Sequence, residues 1–166
     1  MKVAVTGPPG VGKTTLALKV AEAARGVGLD VRGFVTVELR EGGQRVGFDI
    51  LRLADGARAP LARVGPGEPR VGKYVVLLSS CDFIVSALRE AGDLLIVDEV
   101  GAMEAKCAGF LNEAKSAIER SARALAVVHL RYVGAARGWG LKIYSLTKDN
   151  REQIFNEVVK LLLQNV

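Results

Sequence analysis

The segment Gly7-Pro8-Pro9-Gly10-Val11-Gly12-Lys13-Thr14 constrains this chain more than any other. Its prolines and glycines exclude the interior of a helix or strand. Before it stands Lys2–Thr6, a short β-branched run that reads as a strand. After it, from Lys13 to about Val27, Leu16, Val20 and Ala23/Ala24 fall on one helical stripe. A strand that turns through glycines into a helix curls its backbone N–H groups inward, and the helix dipole adds a preference for anions. The spacing G-x-x-x-x-G-K-[ST] then places an ammonium, Lys13, within reach of β- and γ-phosphates, and a hydroxyl, Thr14, able to ligate Mg²⁺. The expectation is a polyphosphate cradle with Mg²⁺ as cofactor.

The remaining pattern alternates between strand and helix. Leu94–Val97 is a continuous apolar run, as in a strand buried on both faces of a parallel sheet, and Ala124–Val128 is another. Helices are expected over Phe83–Ala91, roughly Ala105–Ala122, and after Thr147, where Ile154, Phe155, Val158, Leu161 and Leu162 share a face. A final strand is expected from Leu141 to Leu146, and Arg131–Gly140 reads as a Gly-rich loop carrying Arg131, Arg137 and Trp139. Residues 31–78 differ. Val31–Leu39 and Arg45–Leu53 are strand-like around Gly42-Gly43, and a further strand is expected at Val71–Leu78, with turn chemistry between and no crossover helix. The fold class is therefore α/β: a mostly parallel sheet between helices, with an antiparallel β-hairpin insertion at about 31–78. At 166 residues and without a linker, the chain reads as a single domain spanning 1–166.

Ligands of such sheets bind at the carboxyl ends of the strands. There the run Leu94-Leu95-Ile96-Val97 delivers Asp98 and Glu99. Asp98 is placed to join Thr14 in the Mg²⁺ shell, and Glu99 to orient or deprotonate an attacking water. Glu104 is a candidate second acid, against the plainer reading of a helix-start acid. His129 follows the Ala124–Val128 strand, where it could sense a terminal phosphate or be structural. Arg131 and Arg137 could neutralise transition-state charge or be solvated surface arginines. Asn150 in Thr147-Lys148-Asp149-Asn150 could contact the base through its amide; the alternative is that Thr147 or Asp149 caps the last helix.

These residues resemble the small P-loop nucleoside-triphosphatases of the THEP type. The likeness lies in Gly7–Thr15, Gly33-Phe34-Val35-Thr36, Gly42-Gly43-Gln44-Arg45-Val46-Gly47-Phe48-Asp49, Arg63-Val64-Gly65, Val71-Gly72-Lys73-Tyr74-Val75-Val76, Asp98-Glu99-Val100-Gly101-Ala102-Met103-Glu104 and Thr147–Arg151. The pieces run through nearly the whole chain in order. The resemblance implies a RecA-like P-loop fold, a three-layer sandwich. It implies Mg²⁺-dependent hydrolysis of ATP, GTP, CTP and UTP to diphosphate and phosphate; on the motif reading, Glu99 and Lys13 are the candidate catalytic residues. Nucleotide contact is implied for Gly7, Pro8, Pro9, Gly10, Val11, Gly12, Lys13, Thr14 and Thr15, and for Leu94, Leu95, Ile96, Val97, Asp98, Glu99, Val100 and Gly101. It carries no role onto His129–Trp139.

Composition bounds the partners. The net charge of +5 suits an anionic ligand, nucleotide or nucleic acid. Arg32, Arg40, Arg45, Arg52, Arg58, Arg63 and Arg70 crowd the insertion and suggest a basic surface. Stacking aromatics are few there (Phe34, Phe48, Tyr74), which disfavours a nucleic-acid partner. No apolar run spans a membrane, and without a signal-peptide core the expected address is cytoplasmic. Cys81 and Cys107 form no Cys-x-x-Cys pattern and are expected as two small buried hydrophobes rather than a disulfide or zinc ligands. A kinase and a nucleic-acid-stimulated ATPase are the rival readings.

Overall fold

The computed structural model describes residues 1–166. Five strands run parallel: β1 (Lys2–Thr6), β2 (Val31–Glu41), β7 (Leu94–Val100), β8 (Ala124–Val128) and β9 (Lys142–Ser145). Antiparallel strands β3 (Gln44–Arg52), β4 (Arg58–Val64), β5 (Arg70–Val71) and β6 (Tyr74–Val76) extend one edge. The sheet order is β5-β6-β4-β3-β2-β7-β8-β1-β9. The insertion thus continues the parallel sheet through the long strand β2, whose stretch Val31–Phe34 pairs with β7 and whose length from Phe34 onward pairs with β3.

Helices cover both faces. On one, α1 (Lys13–Gly26) and α5 (Arg151–Leu162) bury Leu16, Val20, Ala24, Ile154, Val158 and Leu162 against Val3, Val5, Leu94 and Ile96. On the other, α2 (Cys81–Arg89) and α3 (Phe110–Arg120) bury Ile84, Leu88, Phe110 and Ile118 against Ala4, Leu95 and Val97. Alternate residues of β1 and β7 therefore serve opposite layers. This is why both strands read as unbroken apolar runs rather than as alternating ones. The Phe34 and Phe110 rings meet edge-on at 6.3 Å and tie β2 to the start of α3. At Gly33 a Cβ would stand 1.9 Å from the Ile96 carbonyl oxygen, so β2 and β7 pair closely only because that residue is glycine.

Several boundaries differ from expectation. The helix expected over Ala105–Ala122 begins at Phe110. A 3₁₀ turn, Glu104–Lys106, precedes it, and Gly109 at φ 77° sets the entry into the helix. The strand expected over Val71–Leu78 is broken by Gly72 and Lys73 into β5 and β6, and β4 carries no expected strand of its own. The Arg131–Gly140 loop contains a short helix, α4 (Val133–Gly138), held by buried Ala136. Asn150, not Thr147 or Asp149, is the residue before α5, and no side chain caps it.

The cysteine expectation is corrected. Cys81 and Cys107 are joined by a disulfide, with their Cα atoms 5.5 Å apart. Cys81 opens α2 and Cys107 precedes α3, and the two helices pack side by side on one face of the sheet. A pairing made by tertiary packing across 26 residues leaves no local spacing signal. No helix is long and apolar enough to cross a membrane.

Candidate functional site

The carboxyl ends of β1, β7 and β8 converge where the strand order reverses, between chain-distant neighbours. From β1 the chain enters the glycine loop. Gly7 packs so tightly that a Cβ there would sit 2.7 Å from the Leu146 carbonyl oxygen. Gly12, at φ 104°, is the left-handed residue from which α1 starts, and no side chain caps that helix. Its first N–H groups are thus free to meet an anion. Lys13 Nζ donates to the carbonyls of Gly7 at 2.6 Å and Pro8 at 3.0 Å, so the ammonium lies across the mouth of its own loop. Arg151, at the start of α5, donates through Nε to the Val11 carbonyl at 2.8 Å and lies beside Gly12. Nothing local in the sequence marks Arg151 for this role, since it stands 140 residues from Val11.

Asp98 lies two residues before the end of β7 and is 1% exposed, and its Oδ2 has no hydrogen-bond partner. A buried carboxylate oxygen without a partner is costly and calls for a cation or donor. Burial pushes the Asp98 carboxyl up to about 7, while the Thr14 hydroxyl draws it down, neighbouring Glu99 raises it further and Lys13 lowers it. Thr14 and Lys13 therefore both lie beside Asp98. No cluster of three or more His, Cys, Asp or Glu side chains could form an all-protein metal cage. One hydroxyl and one carboxylate do suit Mg²⁺, which takes few protein ligands and completes its shell with water and phosphate.

Glu99 is half-buried beyond Asp98. The β7–β8 register shifts between Asp98 and Val100, so Glu99 is an extra residue in its strand. Such a bulge re-aims a side chain at a strand end. Burial raises the Glu99 carboxyl, and Lys13 and His129 both pull it back down. His129 is exposed, and its Nδ1 accepts the Arg131 backbone N–H at 3.0 Å. It is thus held beside the acid pair.

Other expectations fare differently. Leu94, Leu95, Ile96 and Val97 are at most 3% exposed, and Val100 is sealed as well. These side chains are core residues that aim the strand, so nucleotide contact expected of this segment would fall to its backbone and to Asp98, Glu99 and Gly101. Val11 is likewise buried, whereas Pro8, Pro9, Gly10 and Thr15 are exposed around the loop. The Asn150 Oδ1 accepts the Thr147 N–H at 2.7 Å and its Nδ2 donates to the Ser145 carbonyl at 3.0 Å, so that amide closes its own loop instead of facing a base. The basic surface of the insertion is largely neutralised. Arg40 and Arg45 pair with Glu38, Arg58 and Arg63 with Asp49, Arg52 with Asp55, and Arg32 with Asp30 and Glu90. Arg131 and Arg137 are both exposed and make no ion pair.

Glu104, a candidate second acid or a helix-start acid by sequence, and Thr36, which carries no sequence signal of a role, belong here too. Both are drawn to this strand end. The Thr36 hydroxyl lies 2.8 Å from the Asp98 backbone oxygen and 2.9 Å from Glu104 Oε2. Glu104 is 2% exposed, and burial followed by the Glu99 charge pushes its carboxyl up to about 8.

Comparison with known proteins agrees with this geometry. A family model described as NTPase matches residues 2–159. The chain is 51% identical to the nucleoside-triphosphatase THEP1 of Pyrobaculum aerophilum over 96% of its own length and 91% of the relative's. It is 42% identical to that of Methanocaldococcus jannaschii over 98% of each chain. Among solved structures, the solution structure of a human cancer-related nucleoside triphosphatase superposes with a TM-score of 0.84 at 34% identity, covering 99% of this chain and 98% of that one. The crystal structure of THEP1 from the hyperthermophile Aquifex aeolicus superposes with a TM-score of 0.79 at 26% identity, covering 98% and 99%. The α/β sandwich described above is thus the P-loop fold of these enzymes, and the chain belongs to the NTPase family that includes the THEP1 nucleoside-triphosphatases.

Proposed function

We propose that this protein hydrolyses ATP, GTP, CTP and UTP to the diphosphate and phosphate, with Mg²⁺ held by Thr14 and Asp98. The observation that carries the reading is the buried Asp98 carboxyl, its Oδ2 without a partner, beside Thr14 and Lys13 of the glycine loop and next to Glu99. The uncapped start of α1 offers its N–H groups to the phosphate tail, and Lys13 exchanges the Gly7 and Pro8 carbonyls for phosphate oxygens. Bound Mg²⁺ would neutralise charge on the β- and γ-oxygens. Glu99 then orients a water in line with the γ-phosphorus and accepts its proton. Lys13 and His129 help to keep that carboxyl ionised against the effect of burial. Positioning and charge neutralisation supply most of the catalysis in such transfers, so few side chains need to react.

A kinase would need an acceptor pocket and a lid. The segment after β8 supplies only a 3₁₀ turn, Leu130–Tyr132, and the six-residue α4. A nucleic-acid-stimulated ATPase would need free cations along the insertion, where most arginines are paired with acids. The test is phosphate release from ATP, GTP, CTP and UTP without any acceptor, with and without Mg²⁺ and RNA, in the wild type and in Glu99→Gln. The expected result is Mg²⁺-dependent release that is indifferent to RNA and falls about 10²–10⁴-fold in Glu99→Gln. Wild-type turnover by Glu99→Gln removes the base assignment, and release only with an added acceptor makes the protein a kinase.

A further inference from the structure

The parallel ladder between β2 and β7 runs from Val31/Leu94 to Phe34/Val97 and stops there, where β2 leaves toward the hairpin. One residue further along β7, the Asp98 carbonyl has lost its β2 partner at the very position where the functional strand end begins. Thr36 replaces the missing backbone donor: its hydroxyl reaches that oxygen at 2.8 Å. The same hydroxyl lies 2.9 Å from Glu104 Oε2. Thr36 has one hydroxyl proton, and both neighbours are acceptors when Glu104 is ionised. Both contacts are hydrogen bonds only when Glu104 carries a proton, donates to Thr36 Oγ1 and leaves the Thr36 proton for Asp98. The near-complete burial of Glu104 favours the same neutral form.

The second Glu104 oxygen faces Glu99. The point where a Cβ on Gly101 would sit is 2.7 Å from Glu99 Oε1 and 3.1 Å from Glu104 Oε1, so the two carboxyl groups close over that glycine. The turn bearing Glu104 is itself pinned. Ala105 N–H donates to the Gly101 carbonyl, Cys107 N–H donates to the Glu104 carbonyl, and Cys107 is bridged to α2.

We propose that Thr36 and Glu104 are positioning residues for the reaction: a Glu104-to-Thr36-to-Asp98 relay of hydrogen bonds fixes the end of β7, and Glu104 packed over Gly101 sets the direction of the Glu99 carboxylate. The inference rests on the hydrolysis reading above and adds residues outside the phosphate loop and the acid pair. It gives Glu104 no contact with substrate.

The test compares Glu104→Gln, Glu104→Leu, Thr36→Ser and Thr36→Val in steady-state ATP hydrolysis, with Glu99→Gln in parallel and thermal melts on each. Gln keeps a neutral donor toward Thr36, and Ser keeps the hydroxyl. Leu and Val remove the relay at similar volume. The expected result is that Glu104→Leu and Thr36→Val lose about 10–100-fold in kcat with KM for ATP little changed, a loss typical of outer-shell partners. Glu104→Gln and Thr36→Ser stay within about threefold of wild type in kcat, well under one tenfold step of barrier. Should Glu104→Leu fail to fold, Thr36→Val and its serine rescue decide the matter, because Thr36 is only half-buried. Wild-type kcat in Thr36→Val overturns the relay. So does a Glu104→Gln loss equal to that of Glu104→Leu, which would mean that a charge is required there. If Glu99→Gln loses turnover while the relay variants keep it, the relay alone fails. If Glu99→Gln keeps wild-type turnover, the relay and the hydrolysis reading of Glu99 fail together.

Discussion

Lys13 Nζ lies 2.6 Å from the carbonyl oxygen of Gly7, the first residue of the loop whose last turn Lys13 completes. The ammonium and the loop backbone thus hold each other in a closed ring before any anion arrives. A phosphate oxygen offers a full negative charge where the carbonyl offers a dipole, so the swap favours the ligand. Removing the cation removes one charge-assisted bond, about 1.5–3 kcal/mol. Lys13→Ala is expected to weaken nucleotide binding by roughly 10–150-fold, read by titration with a fluorescent nucleotide. Lys13→Arg is not expected to restore it, because a planar fork does not fit a point-charge seat. Unchanged affinity in Lys13→Ala would remove the loop from the ligand site.

The sequence carried the loop, the acid pair and the layering. Each is a local pattern with one physical meaning: Gly12 must be left-handed, Lys13 follows it, and Leu94–Val97 is apolar on both faces because both faces are covered. Contacts made by packing between distant segments were not legible. Cys81 meets Cys107 only once α2 and α3 share a sheet face, Arg151 meets Val11 only once α5 lies beside α1, and Thr36 reaches Glu104 only where β2 parts from β7. The insertion misled in a related way. Its arginines look like a basic patch in sequence, but Glu38 and Asp49 each receive two of them. The place of Asn150 after β9 suggests a base reader, yet its amide is spent on closing the 147–150 turn.

The Cys81–Cys107 bridge closes a loop across 26 residues. On the chain-entropy account, a loop of that length contributes about 3–4 kcal/mol through the unfolded state. Guanidinium unfolding with and without reductant, and of a Cys81→Ser/Cys107→Ser variant, is expected to show this as a lowered midpoint, with a steeper slope because the opened chain unfolds to a more expanded state. Thiol titration of the unreduced, denatured protein should find no free cysteine. Identical midpoints in all three conditions, with two titratable thiols, would show that the bridge does not form.

The buried acids fix the sign of the pH dependence of stability. Burial lifts Asp98 to about 7 and Glu104 to about 8, both above the ordinary carboxylate range. Across roughly pH 4–8 the folded protein therefore keeps protons that the unfolded chain has released. Their contribution is complete below that window and is lost as pH rises through it. Two acids are shifted the other way: Asp55, which Arg52 draws down to about 2, and Glu113, which Arg89 draws down. Their contribution is present above the ordinary carboxylate pKa and fades only as pH falls below it, so they leave the higher window untouched. In buffer containing a chelator, Tm is expected to decline from pH 5 to pH 9. Glu104→Gln has no proton to release at that position and should make the decline shallower. A Tm that climbs over this range, or equal slopes in the wild type and Glu104→Gln, would mean that Glu104 is already ionised in the fold and would leave Thr36 with one proton for two acceptors.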